Sequence, residues 1–233
     1  MAPVLPLVLV PGLLCSARLY APQIAALWPH GSITIADHRR DSEMAAIGAR
    51  ILADAPPRFA LAGLSMGGYI AFAMLRQAPE RIAKLALLDT SARPDTPEQS
   101  AGREKFIGMA EAGKLNDIVE ALTPRFLHRS RHNDETLKRV VRDMAADTGS
   151  EAFVRQQKAI MSRPDSRPLL ASIRCPTLVV VGDGDELTPP ELAREICTGI
   201  SGARLVVVPE CGHLSTLEKP DAVNAALAEW LST

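Results

Sequence analysis

Residues 60–72 read ALAGLSMGGYIAF, which places one hydroxyl group among small side chains directly after an apolar run. Residues Arg58–Ala62 have the composition of a strand, and Met66–Arg76 have the apolar spacing of a helix. A chain that turns this sharply from strand to helix forces Ser65 into a strained conformation and requires very small neighbours. The sequence Gly63-Leu64-Ser65-Met66-Gly67 matches the G-x-S-x-G turn that presents a nucleophilic serine. An ordinary turn serine is the alternative interpretation.

Short apolar runs alternate with helix-like segments along most of the chain. The strand candidates are Leu5–Val10, Ser32–Ala36, Arg58–Ala62, Ala83–Leu88, Thr177–Val181 and Arg204–Val208. The helix candidates are Ala17–Leu27, Ser42–Ala53, Met66–Ala78, Pro190–Cys197 and Lys219–Leu231. Continuous Val, Ile, Leu and Ala runs are typical of parallel strands covered on both faces. The sequence therefore predicts an α/β fold with an open, doubly wound sheet, which binds ligands at the carboxyl ends of its strands.

One interval interrupts this alternation. No strand candidate occurs from about Ala92 to Ile173, although Asp134–Ala146 and Glu151–Met161 are amphipathic and helix-like. The interval is too long for a loop, so we expect a helical cap of about four helices over residues 92–173. The core would then consist of residues 1–91 and 174–233.

Composition narrows the class of protein. The 233 residues include 26 Lys and Arg and 27 Asp and Glu, with no long block of either sign, which argues against nucleic-acid binding. The four cysteines show no CxxC spacing, which argues against zinc and thioredoxin-like redox sites and fits a reducing compartment; they are Cys15, Cys175, Cys197 and Cys211. The opening MAPVLPLVLVPGLL has no positive charge, and prolines interrupt it. We interpret it as a buried strand of a soluble, cytoplasmic protein without a membrane partner.

Three reactive residues follow strand candidates. Ser65 follows the third, Asp185 the fifth and His213 the sixth, and this chain order is the one expected for the G-x-S-x-G turn. A neutral imidazole takes the proton of a serine hydroxyl, and a buried carboxylate holds the ring and stabilises the imidazolium. Each residue also has an alternative interpretation. Asp185, or Asp183, would cap the helix that begins near Pro189, and His213 would be an ordinary loop histidine.

The chain resembles the α/β-hydrolase superfamily over essentially its whole length. The pieces that carry the resemblance are VLVPGLL at 8–14, GLSMGG at 63–68, LALLDTSARP at 85–94, PTLVVVGDGDELTPP at 176–190 and PECGHLSTLEKP at 209–220. In style they are similar to small bacterial esterases and enol-lactone hydrolases. The resemblance implies a mainly parallel sheet and an oxyanion hole formed by the backbone N–H groups of Leu13 and Met66. The antiparallel hairpin that usually precedes the first strand is missing, so we expect about six strands.

The sequence departs from the family pattern at two further places. Pro11-Gly12 stands where the family usually writes His-Gly, a histidine that commonly buttresses the oxyanion loop. The usual DxxGxGxS after the next strand is replaced by residues 37–42, DHRRDS.

Several other polar residues are weaker candidates. Asp89 ends the fourth strand, so it is a second possible acid, or it bonds only to neighbouring backbone. We interpret His30, His38, His128 and His132 as surface or cap residues, because no motif surrounds them. The basic cluster Arg125–His132 fits a solvated cap face better than a site for an anionic substrate. Cys15 and Cys211 fit small apolar fillers.

These observations predict a serine hydrolase that cleaves a carboxylic ester or lactone through an acyl-enzyme, with no metal or organic cofactor. Carbon–carbon bond hydrolysis and acyl transfer would use the same residues. A ligand-binding receptor on a hydrolase scaffold is the alternative from another class, because fold alone does not fix function.

Overall fold

The computed structural model describes residues 5–233, so residues 1–4 of the predicted core lie outside the described residues. Six strands form one sheet: β1 (Leu7–Val10), β2 (Ile33–Ile35), β3 (Phe59–Leu64), β4 (Ile82–Leu88), β5 (Thr177–Gly182) and β6 (Arg204–Val208). Their order is β2-β1-β3-β4-β5-β6, and every neighbouring pair is parallel. The predicted α/β fold with six parallel strands is confirmed.

The sheet order brings the loops that follow β1 and β3 together. The chain runs from β1 outward to β2 and then returns to β3 on the other side of β1, which creates a topological switch point between β1 and β3. Val10 pairs with Gly63 at the carboxyl ends of these strands. Ligands bind at such points in open α/β sheets.

Helices flank the sheet on both faces. They are α1 (Ala21–Leu27), α2 (Met44–Asp54), α3 (Met66–Gln77), α4 (Pro97–Glu111), α5 (Leu115–Phe126), α6 (Glu135–Thr148), α7 (Ser150–Met161), α8 (Arg167–Leu170), α9 (Pro190–Gly199), α10 (Ser215–Glu218) and α11 (Pro220–Ser232). The predicted helix Ala17–Leu27 begins as a 3-10 turn, Ala17–Tyr20, and becomes α-helical where Pro22 occupies the first turn. Proline suits that position because the first-turn N–H groups have no partner within the helix.

Alternate residues of the strands belong to two separate apolar cores. In β1, Leu7 and Leu9 pack in the core on one face, whereas Val8 and Val10 pack in the core on the other. Both faces are therefore covered, which explains why the strands are continuous apolar runs rather than alternating ones.

A helical insertion, residues 92–173, lies between β4 and β5 and contains α4 to α8. Its helices have clear start signals. Thr96 and Gln99 form a reciprocal capping box before α4, and Asp134 accepts from the first N–H groups of α6. Within residues 5–233, no helix combines the length and apolar character that crossing a bilayer requires.

Candidate active site

The turn between β3 and α3 has the strained backbone that the sequence predicts. Ser65 has φ 55° and ψ −114°, a region that residues with side chains rarely occupy. A Cβ atom at Gly63 would collide with the backbone of Gly67, and one at Gly67 would collide with the carbonyl of Val10. The Ser65 N–H donates to the Leu88 carbonyl at 2.9 Å, which fixes the turn to β4. Only this spacing of glycines lets the chain present the hydroxyl at the strand end.

A cavity of about 510 Å³ opens at the carboxyl edge of the sheet. Ser65, His213 and Leu13 line it together with residues of the helical insertion. Leu13 follows β1, and Met66 is the first residue of α3. Within residues 5–233 the backbone N–H groups of Leu13 and Met66 have no protein acceptor. First-turn N–H groups of a helix are good anion donors because no carbonyl of the helix occupies them.

His213 and Asp185 form a buried pair. Nδ1 of His213 lies 2.8 Å from Oδ2 of Asp185, and both side chains are almost fully buried. Oδ1 of Asp185 accepts from the N–H groups of Leu187 (2.8 Å) and Thr188 (3.0 Å), and Oδ2 accepts from the Thr188 hydroxyl (2.7 Å). These bonds close a turn that ends before α9 begins at Pro190, so Asp185 does not cap that helix. They hold the carboxylate toward the imidazole.

The pair changes the acidity of both groups. Burial by itself lowers the pKa of His213, but the Asp185 carboxylate outweighs burial and the net pKa is raised. Burial raises the pKa of Asp185, but the imidazole and the donors from Thr188 outweigh it, and the net pKa is lowered. The site therefore favours a charged carboxylate beside an imidazole that is a stronger base than usual.

Asp89, the second candidate acid, makes other contacts. It is fully buried at the end of β4 with φ 44°. Oδ1 accepts from the Gly182 N–H at 3.0 Å, and Oδ2 accepts from the Ser215 hydroxyl. Burial raises the pKa of Asp89 to about 8, and the Asp185 carboxylate adds to the shift. Asp185 therefore contacts His213, whereas Asp89 joins β5 to α10 through its bonds to Gly182 and Ser215.

The helical insertion holds the His213 loop. The Phe126 carbonyl accepts from the N–H groups of His213 and Leu214, both at 3.1 Å. The Phe126 ring stacks on the imidazole with ring centroids 6.2 Å apart. Glu218 joins the same loop to the insertion, because it accepts from the N–H groups of Gly212 (2.9 Å) and His128 (2.8 Å). The sequence gives no local signal for these contacts, since the partners are about 90 residues apart.

The interpretation of His38 as a surface or cap residue is wrong. Its ring is buried, and Nε2 lies 2.9 Å from the Gly12 carbonyl and 3.1 Å from the Gln156 amide nitrogen. A protonated Nε2 donates to Gly12, whereas an unprotonated Nε2 accepts from Gln156. Where the family usually has a histidine beside Gly12, this chain has Pro11, and a histidine from after β2 contacts the same loop.

Gln156 of α7 makes a second contact with that loop. Its side-chain oxygen accepts from the Leu14 N–H at 3.2 Å, and the side chain is fully buried. Leu14 has φ 57°, which is unfavourable for a residue with a side chain. The helical insertion therefore supports the segment directly after Leu13.

The remaining candidates lie away from the reacting groups or are unreactive. Burial raises the pKa of the Cys15 thiol to about 12, and burial also raises that of Cys211, so neither is a thiolate at neutral pH. His30 is partly exposed in a 3-10 turn, and His132 bonds to the Leu127 carbonyl. Asp183 accepts from the Cys211 N–H at 3.2 Å and joins the loops after β5 and β6. Within residues 5–233, no three His, Cys, Asp or Glu side chains are grouped to hold a metal ion.

A parallel sheet with a strained serine and a histidine–aspartate pair at its carboxyl edge defines the α/β-hydrolase class. The sequence profile of the alpha/beta hydrolase family matches residues 7–226, and the chain belongs to that family. Its relatives include hydrolases with the same fold.

Individual relatives include esterases and a lactonase. The chain is similar to a thermophilic esterase from Thermogutta terrifontis, solved with malate bound (31% identity, TM-score 0.90, covering 98% of this chain and 89% of that chain). It is also similar to the enol-lactonase from Burkholderia xenovorans LB400 (26% identity, TM-score 0.89, covering 100% and 93%).

A sequence relative is the pimeloyl-[acyl-carrier protein] methyl ester esterase of Neisseria meningitidis, 26% identical over 221 residues, which are 90% of this chain and 85% of the relative. Proteins named as bromoperoxidases and as a 2-hydroxy-6-oxononadienedioate hydrolase are similar as well. Membership of the family therefore leaves the reaction open.

Proposed function

We propose that this protein is a serine hydrolase that cleaves a carboxylic ester or lactone through an acyl-enzyme. The observation that carries the proposal is the 2.8 Å contact between His213 Nδ1 and Asp185 Oδ2 beside the cavity into which Ser65 faces. The esterases and the enol-lactonase among the relatives support the same reaction class.

In the proposed mechanism, Asp185 holds the proton of His213 on Nδ1, so that Nε2 accepts the proton of the Ser65 hydroxyl. The serine oxygen attacks the substrate carbonyl, and the developing oxyanion accepts from the N–H groups of Leu13 and Met66. The imidazolium then protonates the leaving oxygen, and an acyl-enzyme remains. Water, activated by the same imidazole, releases the acid. Each oxyanion donor is worth about 3 kcal/mol of barrier.

The helical insertion acts as a cap in this proposal. Residues 92–173 would cover the strand ends of a core formed by residues 1–91 and 174–233 and select the substrate. Phe106 and Ile160 of the insertion line the cavity together with Ser65, which supports that role.

A fluorophosphonate probe and a panel of substrates test the proposal. We expect the probe to label the wild-type protein at Ser65, and we expect Ser65→Ala to lose the label and on the order of 10⁵–10⁶ in kcat. Ser91→Ala is the matched control, because Ser91 lines the same cavity and its oxygen only accepts from the Arg93 N–H at 3.0 Å. Equal labelling of Ser65→Ala would rule out the serine mechanism.

Carbon–carbon bond hydrolysis is the second candidate reaction. It is favoured by similarity to the 2-hydroxy-6-oxononadienedioate hydrolase of Escherichia coli, 27% identical over 177 residues. Esters, lactones and diketones in one panel distinguish the reactions. Turnover of diketones alone would favour the second candidate, and turnover of no substrate with an unlabelled Ser65 would favour a receptor.

A further inference from the structure

Two arginines in the wall of the candidate active-site cavity share one carboxylate. Oδ2 of Asp95 lies 2.5 Å from Nε of Arg103, and Oδ1 of Asp95 lies 2.8 Å from Nη2 of Arg163. The side chains of Asp95 and Arg163 are 3% and 7% exposed, and that of Arg103 is 20% exposed. This arginine cluster, Asp95 with Arg103 and Arg163, therefore carries one positive charge in excess in a largely dry environment.

The other contacts of the cluster are with neutral groups. Arg103 donates from Nη1 to the side-chain oxygen of Gln157 at 2.7 Å. Arg163 donates to the carbonyls of Arg93 (3.1 Å) and Ile160 (2.9 Å), and its guanidinium lies over the Tyr69 ring, 4.2 Å from the centroid. Dipoles and an aromatic face orient the guanidinium groups, but they supply no second negative charge. A buried charge without an equal counter-charge raises the free energy of the protein. An anion that binds beside the cluster supplies the counter-charge and lowers that free energy.

The arginine cluster shares its cavity with Ser65 and with a further arginine. Arg125 of α5 lines the cavity, and within residues 5–233 no carboxylate lies in salt-bridge distance of it. Arg93 also lines the cavity, but Glu195 pairs with it through two bonds of 2.9 Å. The remaining acidic residue in the wall outside the cluster is Glu98, which is exposed in the first turn of α4. The buried part of the wall is therefore positive.

We propose that the arginine cluster, together with Arg125, is a subsite for a carboxylate group carried by the substrate. The substrate is then an anionic ester or lactone whose second acidic group binds the guanidinium of Arg103. Arginine suits this role because its planar donors match both oxygens of a carboxylate. The inference rests on the proposed function, since it names the substrate class of the same cavity.

Matched pairs of esters test the subsite. p-Nitrophenyl hydrogen adipate and p-nitrophenyl hexanoate differ mainly in the terminal carboxylate. We expect wild-type protein to favour the anionic ester at least about tenfold in kcat/KM at low ionic strength, and salt should reduce that ratio. Arg103→Gln should lower the ratio about tenfold, and Arg125→Gln should lower it less because Arg125 is exposed. Arg93→Gln is the control and should keep the ratio, because the Arg93 charge is already paired.

A binding measurement separates this subsite from the reaction. Ser65→Ala should bind monomethyl adipate more tightly than methyl hexanoate in isothermal titration calorimetry, and the difference in affinity should become smaller when Arg125→Gln is added. The exposed position of Arg125 keeps this test usable even where Arg103→Gln does not fold.

Three results would count against the subsite: a wild-type ratio of one or less, an unchanged ratio in both arginine variants, or an equal loss in Arg93→Gln. Turnover of the neutral ester with no preference for the anionic one overturns the subsite alone. An unlabelled Ser65 with no turnover of either ester overturns the proposed function instead.

Discussion

The two walls of the cavity are built differently. On the sheet side, Ser65, Asp185 and His213 each follow a strand, and backbone geometry fixes their positions. On the insertion side, helices contribute long side chains whose positions depend on packing between distant segments. In the proposed function the sheet side carries out the reaction and the insertion side selects the substrate. The contacts of Phe126 and Gln156 show that this division is incomplete, since both support loops of the sheet side.

The largest effect expected among the supporting residues belongs to the sheet side. Asp185→Asn keeps the shape of the side chain but favours the wrong tautomer of His213, so we expect a loss on the order of 10³–10⁴ in kcat. Asp89→Asn should cost no more than about tenfold in kcat, because Asp89 has no hydrogen bond to His213 and the amide oxygen still accepts from the Gly182 N–H. Steady-state kinetics on folded variants measures both. A reversed order of the two losses would assign the acid to Asp89.

The pH dependence of the reaction tests the same pair. His213 must be neutral to accept the serine proton, and the pKa of His213 is raised above 6.5. Consequently kcat/KM should rise with pH through an apparent pKa above 6.5. In Asp185→Asn no carboxylate counteracts the effect of burial on the pKa of His213. The remaining activity should therefore rise with pH through a lower apparent pKa than in wild type.

Two other buried titratable groups, His38 and Asp89, bear on that measurement. Burial lowers the pKa of His38, whereas the pKa of His213 is raised, so His38 loses its proton at a lower pH than His213 does. Asp89, with a pKa raised by burial to about 8, ionises at the upper end, and the profile of Asp89→Asn removes its contribution. A flat profile from pH 5 to 8, with chemistry limiting, would contradict the role of His213 as base.

The sequence predicted the sheet side better than the insertion side for a physical reason. Strand, glycine spacing and reactive residue are adjacent in the chain at Ser65, so local sterics determine the turn. The predicted strand Arg58–Ala62 nevertheless ended too early, because β3 continues to Leu64, where pairing with Leu88 keeps the backbone extended. By contrast, His38 and Gln156 meet 118 residues apart in the chain. No local pattern marks such a pair, since packing of the insertion on the core creates it.

Gln156 tests whether the helical insertion contributes to the reaction. Gln156→Met keeps the length of the side chain and removes the acceptor of the Leu14 N–H. Because the strained Leu14 follows Leu13 directly, we expect kcat to fall about 30-fold for anionic and neutral esters alike, less than the 10²–10³ lost with an oxyanion donor itself. KM should change little.

The adjacent Gln157 is the matched control for Gln156. Both glutamines are buried on α7, but Gln157 bonds to Arg103 and not to the loop after β1 that contains Leu13 and Leu14. Gln157→Met should therefore change the ratio of anionic to neutral ester and leave the binding of a boronic acid that mimics the oxyanion unchanged. Weaker boronic acid binding in Gln156→Met alone would locate the effect at the loop of Leu13 and Leu14 and support the proposed oxyanion hole. Equal changes in the two variants would indicate a general disturbance of α7.

The smallest effect is expected where an insertion residue lines the cavity without supporting a loop of the sheet side. Phe106 of α4 lines the cavity and is partly buried against the core. Phe106→Ala enlarges the cavity. One methylene group in an apolar pocket is worth about 1–3 kcal/mol, so kcat/KM for longer acyl chains should rise roughly tenfold relative to shorter ones. The rate of fluorophosphonate labelling at Ser65 should stay within about threefold of wild type, because no hydrogen bond to the reacting groups is lost. If a folded Phe106→Ala were labelled about 30-fold more slowly than wild type, the whole insertion, and not only α7 and Phe126, would determine the catalytic geometry.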